Sequence, residues 1–319
     1  MNNLIAITIG DIKGIGIHLL IKEWKRKRIK NFVIITNLRI FKSLKLVNLH
    51  NVNVINSQND IFLLNRKKLN ILNFETKNQF TNSLESLKIA YNLVKKKICI
   101  GILTLPLNKN KINKFADMTF IDHTSFFSNL ENNKNSNMMF IHDQKFFIPL
   151  TTHIELKNVY KSFINKEAMI KKIENINATI KNDFKIKLPK LLISGINPHS
   201  GENGLISNDE SKYLIPIIRK LKNKNINITG PISGDGLLSA INFNKYDAFI
   251  FTYHDQALIP FKIISKFEGV NFTSNLNIIR VTPSHGTAVE LINNKKANSK
   301  GIINCFNIIN KISKNRRLN

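Results

Sequence analysis

The chain has 319 residues and carries 48 Lys and Arg against 21 Asp and Glu, a formal charge of +27 at pH 7. Hydrophobic residues make up 43% and charged residues only 22%, enough apolar content for a packed core, which excludes a disordered polycation. Thirteen Gly and eight Pro exclude collagenous and linker-like chains, while two cysteines, Cys99 and Cys305, exclude a disulfide framework and a four-thiolate zinc site.

In chain order, strand and helix signals alternate. Residues 4–9 are apolar and β-branched and stop at Gly10-Asp11, the pattern of a buried first strand. A helical stretch follows, ending in the basic run KEWKRKRIK at residues 22–30, and Phe32–Ile35 reads as a second strand. The spacing of Leu84, Leu87, Tyr91 and Val94 predicts a helix over residues 82–97, with Asn82 placed to cap it and Glu85 three residues on. Residues 98–103, 138–141, 146–150, Leu191–Ser194 and residues 248–252 are further strand candidates, with helical patterns between several of them. Strands separated by helices predict an α/β fold with a mostly parallel sheet. No internal repeat and no Pro/Gly/Ser-rich linker marks a boundary.

The basic runs at residues 22–30, 95–97 and 311–317 are scattered, and Lys, Asn and Ile are over-used throughout. The surplus charge therefore reads as solvated surface on a skewed composition, with nucleic acid as the competing partner. No apolar run approaches the roughly 18 residues of a membrane span, and the start lacks the basic region and cleavage site of a secretory signal. A cytoplasmic protein without a membrane or nucleic-acid partner is the expectation.

Three histidines follow three expected strands. Residues 146–150 run into Thr151-Thr152-His153, Leu191–Ser194 into Gly195-Ile196-Asn197-Pro198-His199, and residues 248–252 into Tyr253-His254-Asp255-Gln256. Ligands of open α/β sheets bind beyond the carboxyl ends of the strands, so the three imidazoles are candidates for one divalent-metal site, zinc or cobalt suiting that donor set. Asp235 or Asp255 could orient a ligand or move a proton. The alternative for each His is a strand-end residue with local hydrogen bonds. Asp122-His123-Thr124 offers an imidazole, a hydroxyl and amide groups at a helix start, suited to an anion. Lys262, Asn271 and Arg280 lie in a later segment with little helical periodicity, and Arg280, after Ile278-Ile279, would seek a carboxylate or phosphate. Gly10, Gly14 and Gly16 form a strand-to-helix turn that matches no standard nucleotide motif. Ser284-His285-Gly286-Thr287-Ala288 is expected to open a helix where a cofactor can approach the backbone.

These motifs together resemble the 4-hydroxythreonine-4-phosphate dehydrogenase family of pyridoxal phosphate biosynthesis. The likeness runs through GDIKGIG, TLPLNK at residues 104–109, DHTSFF at 122–127, TTHIEL at 151–156 and GINPHSGENG at 195–204, then GPISGD at 230–235, YHDQALIPFK at 253–262 and SHGTA at 284–288. The resemblance implies a two-domain α/β/α fold like isocitrate and isopropylmalate dehydrogenases, with the active site in the cleft between domains. It places a nucleotide-side domain at residues 1–128 with 272–319 and a substrate, metal and dimerisation domain at 129–271. It implies that His153, His199 and His254 bind zinc, magnesium or cobalt, and that His123, Thr124, Lys262, Asn271 and Arg280 bind a small phosphorylated substrate. Asp235 and Asp255 are the candidates for proton transfer or orientation. Gly10, Gly14, Gly16, His285, Gly286 and Thr287 are those for NAD or NADP. The family further implies a homodimer with the metal site at the subunit interface, and oxidation of 4-phosphohydroxy-L-threonine to a β-keto acid that decarboxylates to 3-amino-2-oxopropyl phosphate. This chain departs from the family at Ile12, Lys13, Ile17 and His18 in the first loop, at Ser284, and at Asn293 and Lys295, where glycines are usual. A sister dehydrogenase of threonate or erythronate 4-phosphate and a basic nucleic-acid-binding protein are the alternative functions.

Overall fold

Four-residue apolar segments, too short for helices and rich in Ile and Val, build the sheets. A computed structural model describes residues 3–115, 120–133, 135–292 and 297–318. It divides into two compact units, one of residues 1–132 with 276–317 and one of 133–275. The N-terminal part of the first unit comprises β1 (Ile5–Thr8), α1 (Ile15–Lys25), β2 (Phe32–Ile35), α2 (Leu38–Ser43), β3 (Val52–Ile55) and β4 (Leu69–Leu72). It continues through α3 (Gln79–Lys95), β5 (Gly101–Thr104), α4 (Lys109–Phe115) and α5 (His123–Leu130). The second unit holds β6 (Asn137–His142), β7 (Lys145–Pro149), α6 (Lys166–Phe184), β8 (Leu191–Ser194), α7 (Ile215–Asn223) and β9 (Ile228–Ile232). After these come α8 (Ala240–Lys245), β10 (Ala248–Phe251), α9 (His254–Ser265) and β11 (Val270–Ser274). The chain then returns to the first unit as β12 (Arg280–Pro283) and α10 (Lys300–Arg317).

The strands of the first unit run β3-β4-β2-β1-β5-β12, all parallel. Those of the second run β11-β6-β7-β10-β8-β9. There β7, β10, β8 and β9 are parallel, whereas β6 is antiparallel to both β7 and β11. The α/β architecture expected from the alternation of signals is what forms.

Several expectations need correction. The helix expected at residue 82 starts at Gln79, because the Asn78 side chain accepts from the Phe80 and Thr81 amides at 2.9 and 3.0 Å. Asn82 is buried one turn inside, where its Oδ1 accepts from the Asn37 amide at 2.7 Å. The segment after His254, without clear periodicity, is the helix α9. Pro260 lies inside it, and Ile259 and Ile263 are exposed while Leu258 and Phe261 are buried, so no one-sided apolar stripe signals it. Ser284–Ala288 opens no helix: Ala288 has φ +38° and leads only into a 3₁₀ turn over Val289–Leu291. Asn293 and Lys295 lie outside the described residues.

Each unit has its own core. In the first, Ala6, Val33, Ile35, Leu87 and Ile102 pack with Phe127. In the second, Phe147 is fully buried, with its ring centroid 5.3–6.3 Å from those of Phe249, Phe251 and Phe261. Gly269 makes room for this cluster, since a Cβ there would overlap the Phe261 ring. Phe147→Ala should destabilise the protein by about 3–5 kcal/mol, read as a lowered urea midpoint.

Candidate active site

Parallel pairing brings three histidines of the second unit, His153, His199 and, opening α9, His254, to one sheet edge. β10 lies between β7 and β8, so the loops carrying His153, His254 and His199 leave neighbouring carboxyl ends. The His153 and His254 rings face each other with centroids 5.7 Å apart and planes at 40°. Asp255 Oδ1 lies 2.6 Å from His254 Nδ1. A proton held on Nδ1 by that carboxylate leaves the Nε2 lone pair for a ligand, the usual support of a metal-binding histidine. His199 is one of a run of residues, through Asn203, with left-handed φ, a backbone state that functional loops retain at a cost. It acts on Asp235, whose pKa is lowered mainly by the Ser233 hydroxyl, next by the Gly236 amide, and least by His199. Asp235 is therefore held as a carboxylate. Among the described residues no three His, Cys, Asp or Glu side chains close into a metal-sized group within the chain. The donor chemistry fits a divalent metal at the His153–His254 pair, with His199 on the adjacent strand end.

Two side chains hold these loops. Gln256 Oε1 accepts from the Ser194 hydroxyl at 2.7 Å and the Thr252 amide at 2.9 Å, while its Nε2 donates to the Gly195 carbonyl at 3.1 Å, tying the ends of β8 and β10. Glu210, buried, accepts from the Ile196 and Asn197 amides at 2.9 and 2.8 Å. A third residue was missed in the sequence. Lys172 of α6 donates to the Leu150 carbonyl at the end of β7, and burial lowers its pKa to about 8. As one lysine among many in a basic chain, it carries no distinguishing sequence signal.

In the first unit His123 opens α5, which Asp122 caps by accepting from the Ser125 amide at 2.8 Å. Burial holds the His123 pKa well below 6.5, Arg280 lowers it further, and Asp122 opposes them. Lys109, the last residue of the TLPLNK block, also lowers it, placing a second cation near this imidazole. His123 Nε2 is buried and lacks a hydrogen-bond partner among the described residues. Arg280 is 1% exposed, and its Nε and Nη2 donate to Thr104 Oγ1 at 3.0 and 2.7 Å. The expected acidic partner is thus replaced in part by a hydroxyl, and burial pulls the guanidinium down to about 10. Thr124 is buried beside them in sequence. Lys262 and Asn271 belong to the second unit, Lys262 exposed on α9 and Asn271 on β11, with its buried Oδ1 lacking a partner among the described residues.

The candidate cofactor loops leave β1, β5 and β12, three neighbours in the first unit. The chain steps from β1 outward to β2 and later back across to β5, so a switch point of the kind that binds ligands lies between β1 and β5. Gly10 has φ +69°, and a Cβ there would meet the Pro106 carbonyl at 2.7 Å. At Gly14 it would meet the Asp11 and Thr287 carbonyls at 3.1 and 3.2 Å, and at Gly16 the Pro106 ring at 3.2 Å. These glycines admit the chain's own backbone. The Asp11 amide donates to the Pro106 carbonyl at 2.9 Å and the Ile15 amide to the Thr287 carbonyl at 2.8 Å. Gly286 by contrast faces open space. His285 beside it sets Nδ1 2.8 Å from the Gly286 carbonyl and leaves a buried Nε2 with no partner among the described residues. The fit to a nicotinamide cofactor thus rests on His285 and Gly286.

Two consequences are measurable. Thr104→Val removes the hydroxyl that accepts from Arg280 and should cost about 1.5–3 kcal/mol in urea unfolding. His123 binds a proton less readily folded than unfolded, so the unfolded chain takes up more protons as pH falls below about 6.5 and stability drops. Urea midpoints at pH 7.5 and 5.5 should show a smaller drop in His123→Gln, the remaining slope coming from His285 and His18, whose pKa values are lowered by burial.

The family profile described as "Pyridoxal phosphate biosynthetic protein PdxA" matches residues 26–309. A 4-hydroxythreonine-4-phosphate dehydrogenase of Aquifex aeolicus is 31% identical, over 97% of this chain and 98% of its own length. One of a Hydrogenobaculum species is 34% identical, over 90% and 92%. The crystal structure of the Klebsiella pneumoniae protein of that name shares the fold at TM-score 0.79 and 23% identity, covering 98% of this chain and 99% of its own. No described helix is long and apolar enough to cross a membrane. With the family profile matched over residues 26–309 and relatives matched over nearly their whole length, the chain belongs to the pyridoxal phosphate biosynthetic protein PdxA family, whose curated relatives are oxidoreductases.

Proposed function

We propose that the protein oxidises 4-phosphohydroxy-L-threonine with NAD or NADP at a divalent-metal site, to a β-keto acid that loses carbon dioxide and leaves 3-amino-2-oxopropyl phosphate. The pairing of His153 with His254, 5.7 Å apart and backed by Asp255, carries this reading. His153, His199 and His254 would hold zinc, magnesium or cobalt. A metal bound there would supply Lewis acidity at the substrate oxygen, and a bound nicotinamide would supply the hydride acceptor. Asp255 keeps the His254 proton on Nδ1, while Asp235, held as a carboxylate by Ser233 and Gly236, orients the substrate or takes its hydroxyl proton. His123, kept neutral by burial and Arg280, binds the phosphate with Thr124 and Arg280 of the same unit, and Lys262 and Asn271 are the substrate-binding candidates of the second unit. His285, Gly286 and Thr287 receive the cofactor, and Gly10, Gly14 and Gly16 shape the loop packed against them. The first unit is then the nucleotide side and the second the metal side.

A homodimer fits the second unit's surface. Ile154, Leu156, Leu205, Ile206, Ile259 and Ile263 are all exposed, and each lies on a segment that carries one of the three histidines, so pairing of these apolar segments with a second copy would cover the metal-site segments. Buried free Cys99 and Cys305 suit a reducing compartment, the cytoplasm.

Reduction of NAD or NADP should proceed with 4-phosphohydroxy-L-threonine, stop with chelator and return with zinc, magnesium or cobalt. His199→Ala should lose metal by elemental analysis and at least about 100-fold in rate. Turnover of threonate 4-phosphate alone would overturn the substrate assignment while leaving the metal site standing. Ile259→Asp with Ile263→Asp should turn the dimer into monomers by analytical ultracentrifugation.

A further inference from the structure

Two basic runs, about forty residues apart in sequence, meet in the first unit at the amino ends of its strands. A groove of ≈ 1420 Å³ opens there. Lys25, Lys27 and Lys30, from the end of α1 and the turn after it, line it together with Arg66, Lys67 and Lys68, from the turn before β4, and no Asp or Glu does. Composition alone does not produce this. Lys and Arg are 48 of 319 residues in the chain and Asp and Glu 21, whereas a third of this lining is basic and none of it acidic.

The local acid is already committed. Glu23, fully buried, pairs with Arg26 and Arg28 at 3.3 and 3.5 Å and accepts from the Ser299 hydroxyl at 2.6 Å. None of the six groove cations has a carboxylate partner among the described residues. Lys25 donates only to the Leu46 carbonyl, at 2.9 Å. Three aromatic side chains share the lining: Phe32, which is buried, Trp24, the only tryptophan of the chain, and Phe62, 73% exposed.

We propose that this groove binds single-stranded nucleic acid. Unpaired cations along a groove track a phosphate backbone, and exposed rings stack bases whatever their sequence. The groove is larger than the roughly 300–1,000 Å³ of small-ligand pockets, so an extended polyanion suits it better than one phosphorylated metabolite. It lies at the amino ends of β1, β2 and β4, whereas Gly10 and Thr104 lie at the carboxyl ends of β1 and β5. The proposal is therefore independent of the dehydrogenase reading.

Trp24 reports on the groove directly. Titrating the full chain with a 15-nucleotide oligo-dT or oligo-U should quench its fluorescence saturably, with matching anisotropy of a labelled strand. For four neutralised phosphates the affinity should fall about 50-fold between 50 and 200 mM salt. Lys67→Glu with Lys68→Glu should weaken binding at least about tenfold while the unfolding midpoint and the NAD(P) reduction rate stay as in the parent chain. The proposal is overturned if neither quenching nor anisotropy changes, or if the double variant binds as well as the parent. It is equally overturned if tripolyphosphate or polyglutamate at equal charge competes as well as the oligonucleotide.

Discussion

Parallel pairing governs this protein, because parallel strands all end on the same edge. In the second unit it sets the loops after β7, β10 and β8 side by side, so His153, His254 and His199, up to 101 residues apart in sequence, leave neighbouring strand ends. In the first unit it does the same for the loops after β1, β5 and β12. Antiparallel β6 marks where that rule stops in the second unit, and no candidate site residue comes from it. The chemistry follows the edge.

Burial then decides what the edge residues can do. Arg280 gives up most of its contact with water and keeps a threonine hydroxyl, so its field reaches His123 with little screening. That field and the loss of solvent both disfavour the imidazolium, leaving a neutral His123. His254 of the second unit experiences the opposite arrangement: Asp255 is exposed beside it, and its carboxylate fixes a tautomer. One residue type is thus held neutral in one unit and fixed in its tautomer in the other, through burial and neighbours alone.

Most of this was legible in the sequence because strand ends and glycine turns are local signals. β2 and β8 form at Phe32–Ile35 and Leu191–Ser194 as expected, and Asp122 caps the helix that His123 opens. What was not legible depended on partners distant in sequence. β3 and β4 carry asparagines, which weaken an apolar pattern, yet Asn53 donates to Asn70 Oδ1 at 2.9 Å across the pair. Asn82 looked like a cap until a backbone amide 45 residues away engaged it. The glycines at 10, 14 and 16 read as a strand-to-helix turn and a candidate cofactor loop, and each of them would touch the chain's own Leu105–Pro106 or Thr287 segment. Whether a glycine clears space for a ligand or for backbone cannot be read from its spacing.

The same limit applies to charge. A basic run read along the chain is a count, and its meaning depends on what folds against it. Lys25 to Lys30 ended a helix and looked like ordinary solvated surface until β2 and β4, with β2 between β1 and β4, brought Arg66 to Lys68 to the same edge. Arg26 and Arg28, in the same run, turn to the buried Glu23, while their neighbours meet no acid. Within six residues the surplus is thus sorted into neutralised and uncompensated cations. The uncompensated ones raise the local potential at the edge opposite the candidate cofactor loops of that unit, so the excess of +27 has a direction within the first unit as well as a magnitude.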